Sequence, residues 1–120
     1  MPVQFSLEDG NICAFRLTGK LELAEFQESQ KQCEAVIRKT GNIRILALLD
    51  DFDGWGSGKG WADNSFAERN DQHIDKIAIV GGPEWKDLAY AFLLKGLRPV
   101  RIEYFSGSQE AQARHWLASD

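Results

Sequence analysis

A basic excess, paired cysteines, clustered histidines and long apolar runs are all missing from this chain, and each absence removes a class of function. Fourteen Lys and Arg stand against eighteen Asp and Glu, for a formal net charge of −4. Such a balance gives no field that would gather nucleic acid or hold an anionic membrane by charge alone. No run approaches the length needed to span a bilayer, and "MPVQFSLEDG" lacks a basic segment followed by an apolar one, so the expected location is the cytoplasm. Cys13 and Cys33 are the only cysteines and form no CxxC, which excludes a disulfide framework; each reads as a small core residue. His73 and His115 are far apart, with no partner at metal-ligand spacing. No metal and no cofactor is expected.

What remains is enough for one domain over residues 1–120, because 43% of the 120 residues are apolar, which supplies a modest core. Val3, Phe5 and Leu7 alternate with polar positions, and after "EDGN" the run "ICAFRL" resumes, as in an antiparallel hairpin. From about Leu21 to Lys39 an amphipathic helix follows, with Cys33, Val36 and Ile37 on its apolar face and Gly41 as its stop. "IRILALL" (43–49) and "IDKIAIV" (74–80) are near-continuous apolar runs, the mark of strands covered on both faces. Between them a weaker helix is expected from about Trp61 to Asn70. "GGPEWKDLAYAFLLKGL" carries Pro83 in a first helical turn, a stripe of Trp85, Leu88, Ala89 and Phe92, and Gly96 as a stop. "VRIEYF" (100–105) alternates as a strand, and Ser108 is placed to cap a last helix through Ala113, Trp116 and Leu117. The order predicts an α/β fold: a five-stranded mixed sheet, opened by an antiparallel hairpin and continued by parallel strands, with about four flanking helices.

Ligands of such sheets tend to sit beyond the carboxyl ends of the parallel strands, where "DDFDGWGSGKGW" (50–61) and "GGPEW" fall. The first segment fails as a phosphate loop, because Gly58 and Lys59 are followed by Gly60 and the position five before Gly58 is Asp53. It fails as a dinucleotide turn, since neither Gly54 nor Gly56 begins a complete GxGxxG. It fails as a calcium loop, since Trp55 stands where a third oxygen ligand is needed. Asp51 and Asp53 do have the spacing of a magnesium-dependent phosphatase pair, but the further Ser/Thr, Lys and Asp stations of that chemistry are not evident in so short a chain. Aspartates that solvate a strand end are the simpler reading, and no catalytic residue is assigned. Trp55, Trp61 and Trp85 converge on this rim, either as core that closes the end of the sheet or as the wall of an apolar site. Trp61 and Phe66 lie five apart, about 140° around a helix, so that short helix is apolar on more than one side, as in a lid, a membrane-touching element or a well-buried helix.

A strand followed by "DDFDGW", a tryptophan-bearing helix, "IDKIAIVGGPEW", "VRIEYF" and a terminal "EAQARHWL" resembles the SpoIIAA-like family of the STAS superfamily, named for sulfate transporters and anti-sigma factor antagonists. The resemblance runs from about Gly10 to Leu117. It implies a β-sheet flanked by helices and a binding role without catalysis, with a small apolar ligand or lipid, and peripheral membrane contact, as themes. The aromatics that flank the flexible glycines make the expected ligand site Trp55, Trp61, Phe66 and Trp85. Anti-sigma factor antagonists carry a phosphorylatable serine in a "DSSG"-like loop after the central strand, and the matching loop here holds Gly56, Ser57 and Gly58. The alternative expectation is therefore a protein-interaction switch at Ser57, although Trp55 and Gly56 replace the acid and the first serine of that motif.

Overall fold

The computed structural model describes residues 3–57, 60–63 and 65–119. β1 (Val3–Glu8) and β2 (Ile12–Leu21) form the expected antiparallel hairpin, with Phe5 opposite Phe15. β3 (Ile43–Trp55), β4 (Ile74–Gly81) and β5 (Arg101–Ser106) then add in parallel, giving the sheet order β1-β2-β3-β4-β5. α1 (Leu23–Thr40) lies between β2 and β3, and α2 (Ser65–Asn70) between β3 and β4. α3 (Lys86–Phe92) follows β4, and α4 (Glu110–Ala118) follows β5.

Successive parallel strands step outward in one direction, and crossovers of a single hand therefore set their helices on one face of the sheet. Cys33, Val36 and Ile37 of α1, Phe66 of α2 and Leu93 after α3 accordingly pack in one core with Phe15, Ile43 and Ile77 of the strands. The opposite face is closed by α4, whose Ala113 and Leu117, both 0% exposed, meet Leu46, Leu48, Ala78 and Val80. Lys76 of β4 is only 1% exposed, and its ammonium donates to the Trp116 carbonyl at 2.7 Å and to Ser119 at 2.9 Å. Arg44 of β3 donates to the Leu117 and Ser119 carbonyls. Two cations thus satisfy the unpaired carbonyls at the end of α4 and face the negative end of its dipole.

Several boundaries differ from the sequence expectation. Gly41 does stop α1, its N–H donating to the Ile37 carbonyl at 2.8 Å with φ at 94°. Trp61, however, lies in a separate 3-10 turn (Gly60–Ala62), and α2 begins only at Ser65, where the Asp63 carboxylate accepts from the Ser65 N–H at 2.9 Å. α3 ends at Phe92, before Gly96, and Leu88 is 53% exposed because the inward stripe is the narrower set Trp85, Ala89 and Phe92. Leu7, at the sheet edge, is likewise 53% exposed. The last helical segment is capped from Ser106, whose N–H donates to the Gln109 side chain at 3.0 Å, and not from Ser108. No helix among the described residues is long and apolar enough to cross a membrane.

Candidate functional site

The largest departure from the sequence reading is that "DDFDGW" is strand, since β3 continues to Trp55. Its partner advances in twos while β3 advances in threes: Leu17 pairs with Leu49, Gly19 with Phe52 and Leu21 with Trp55. Each extra residue is a β-bulge, and each bulge coincides with a left-handed backbone, Asp51 at φ 54° and Gly54 at φ 96°. Strict alternation from Leu49 would bring Asp51 and Asp53 to the inner face. The two bulges reset it so that Phe52 and Trp55 point inward and the aspartates are exposed. Pairing goes one residue further, with the Gly56 N–H donating to the Leu21 carbonyl at 2.8 Å.

These inward aromatics bound a cavity of about 180 Å³ between the sheet and helices α1, α2 and α3. Its floor is made by strand residues such as Phe15, Leu17, Ala47 and Ile79, and its walls by Phe26 of α1, Phe66 of α2 and Phe92 of α3. Phe92 is the hub of an aromatic cluster. Its ring centroid lies 5.2 Å from Trp55, 5.8 Å from Trp61 and 5.2 Å from Phe26. Trp61 also meets Phe26 at 5.5 Å, so the 3-10 turn drops an indole between α1 and α3.

Of the four aromatics singled out in the sequence, Trp55, Trp61 and Phe66 line the cavity. Trp85 does not; it packs edge-on behind the wall, 5.0 Å from Phe52 and 6.0 Å from Trp55. Its ring also faces Gly54, where a Cβ would sit 3.4 Å away. Ser57 is exposed and eight positions before α2 begins, so it does not stand at the N-terminus of α2. Gly56 approaches Glu22, whose carboxylate would lie 2.5 Å from an added Cβ. Gly58 lies outside the described residues. Asp51 and Asp53 are exposed and do not line the cavity, and among the described residues no three acids, histidines or cysteines are grouped to hold a metal.

Four polar side chains border this apolar space: Ser29, Gln30, Asp63 and Arg98. Three of them are already engaged with the protein, Asp63 by accepting from the Ser65 N–H. The Ser29 hydroxyl donates to the Phe26 carbonyl at 2.6 Å, and Arg98 donates to the Leu93 carbonyl and to both oxygens of Asp71. The indole nitrogens of Trp55 and Trp61 are different. Both are buried, and neither has an acceptor within the described protein.

α2 is held over the cavity by polar tethers that sequence reasoning did not find. Glu34 of α1 accepts from Asn70 at 2.8 Å and from Arg69 at 3.1 and 3.2 Å, and Asn70 also donates to the Phe66 carbonyl. The Asn70 amide and the Arg69 guanidinium hold the Glu34 carboxyl below its usual range. Cys13 and Cys33, read separately as core residues, are neighbours across the β2–α1 seam, and Cys33 lines the cavity. Their mutual hydrogen bond, then burial, push the Cys33 thiol well above its ordinary value. Spacing carries no signal for this pair, because the contact depends on how α1 lies across the sheet.

A family model described as SpoIIAA-like matches residues 12–118. A crystal structure of an uncharacterized protein of the DUF3478 family with a SpoIIAA-like fold, from Shewanella loihica PV-4, is similar with a TM-score of 0.71. The two chains are 19% identical, over 96% of this one and 91% of that one, which speaks for a common fold. No curated protein matches the chain. With the family model spanning nearly all of the sequence and the same fold in the crystal structure, this chain belongs to the SpoIIAA-like family.

Proposed function

We propose that the domain is a non-catalytic binding module that takes a small apolar molecule into the cavity beneath Trp61. The observation that carries this reading is the cavity itself: about 180 Å³ of space, walled by aromatic and aliphatic side chains from three strands and three helices. Apolar cavities of about 150 Å³ stay dry and admit a benzene-sized guest, because water finds too few polar partners there. Drug-sized ligands need about 300 Å³ or more. The fitting guest is therefore a short chain or a single ring, and a lipid would place only one segment of its chain inside. Trp55, Trp61 and Phe66 are the binding residues in this reading, with Trp85 supporting Trp55 from behind. The acids Asp51 and Asp53 take no part, since they stand outside the cavity.

The test is native mass spectrometry of gently purified protein, with titration by short-chain apolar compounds read through tryptophan fluorescence. Saturable quenching or enhancement is expected. An Ala67→Leu variant, which puts a larger side chain into the cavity wall, should lose that response while remaining folded by circular dichroism. Absence of any retained mass and of any fluorescence response would sink the reading.

A further inference from the structure

We propose, on the footing of the cavity reading above, that the ligand is not a plain hydrocarbon but carries a neutral oxygen acceptor, a ketone, aldehyde or ester carbonyl, which seats at Trp55 and Trp61. An indole nitrogen can only donate, and a buried indole almost always finds an acceptor because leaving the donor unpaired costs free energy. Here two such donors, both on rings that line the cavity and pack against Phe92, have no acceptor among the described residues. Chance could leave one indole unsatisfied; two lining the same apolar space share a chemical demand.

The surrounding groups select the kind of acceptor. The Ser29 hydroxyl already donates to the Phe26 carbonyl, and the Arg98 cation is neutralised by Asp71, so neither is free to hold a carboxylate. Asp63 borders the same cavity and would repel an anion. A carbonyl oxygen meets the indole donors without that repulsion, and its alkyl part keeps the contacts with Phe26, Phe66 and Phe92. Neither nitrogen is open to a water-sized sphere, so seating a carbonyl requires the indoles to turn their N–H groups toward the cavity.

The experiment compares 2-heptanone, its shape-matched alkene 2-methyl-1-heptene, and heptanoate. Affinity is read by fluorescence, and the indole N–H resonances of Trp55 and Trp61 are followed by NMR. The expected result is that the ketone binds about tenfold or more tightly than the alkene, with downfield movement of one or both indole resonances. Trp55→Phe and Trp61→Phe keep a ring while deleting a donor; at least one of them should shrink the ketone-to-alkene ratio towards unity. Equal binding of ketone and alkene, with unmoved indole resonances, overturns the acceptor assignment and leaves the cavity reading standing. Tighter binding of heptanoate overturns the choice of a neutral acceptor, and failure of all three compounds to bind overturns both readings.

Discussion

The guanidinium of Arg98 grips the carboxylate of Asp71 through two hydrogen bonds, at 2.6 and 2.9 Å, with the side chains only 11% and 13% exposed. The pair joins the segment after α3 to the turn after α2, at the border of the cavity. Removing one member of such a pair strands the other charge where water cannot reach it well. Asp71→Ala should therefore lower stability by about 2–4 kcal/mol in urea denaturation. Replacing both partners by apolar residues, Asp71→Leu with Arg98→Met, should cost less than the single change. A double variant as unstable as the sum of its parts would show that the two residues act separately.

Glu34 gives the fold an acid-sensitive tether. Its carboxyl is held below the usual glutamate value of 4.5 by Asn70 and Arg69, so the folded state favours the charged form. A depressed value in the folded state means that this stabilisation is present above pH 4.5 and disappears as the pH falls through the lowered value. Glu8, held down by Arg114, acts in the same direction. The melting temperature of the wild type should fall more steeply than that of Glu34→Gln between about pH 6 and about pH 3. Parallel curves would remove Glu34 from the acid limb.

Cys33 should be a poor nucleophile although it faces a cavity, because its proton is retained by the contact with Cys13 and by burial. Iodoacetamide is expected to label it about 100-fold more slowly in the native protein than in the urea-unfolded chain at about pH 8. Mass spectrometry of a labelling time course gives both rates. A bound ketone should slow native labelling further, and acceleration by the ketone would place Cys33 outside the space the guest fills.

Gly54→Ala tests the second bulge. The added methyl meets Trp85 at an ordinary contact distance of 3.4 Å, so the cost comes from the backbone at φ 96°, which L side chains rarely adopt. We expect a loss of about 1–3 kcal/mol and a changed tryptophan emission spectrum, because Trp55 and Trp85 both rest on this turn of the chain. An unchanged spectrum with lowered stability would confine the effect to the backbone.

The order of strands and helices along the chain and the buried face of α1 were legible in the sequence because they rest on periodicity. "IRILALL" and "IDKIAIV" announce strands covered on both sides, and Val36, Ile37 and Cys33 of α1 do face the sheet. The aromatic wall was legible in part: Trp55, Trp61 and Phe66 line the cavity, while Trp85 supports it from outside. The extension of β3 was not legible, since acids and alternate glycines are ordinary turn signals and only pairing with β2 turns them into bulges. The ties of Glu34 to Asn70 and of Arg98 to Asp71 join residues 36 and 27 positions apart, and no local pattern reports such contacts.

The unequal pace of β2 and β3 has a geometric outcome. From Leu49 to Trp55 the chain uses seven residues, while its neighbour passes from Leu17 to Leu21 in five. A strand that spends more chain than the one beside it must arch, as the longer edge of a ribbon does when the ribbon curls. The carboxyl end of β3 carries both bulges, and Phe52 and Trp55 line the cavity from there. Shortening the segment by one residue would flatten one step of the curl and turn Trp55 to the opposite side, a far larger change than trimming any single side chain.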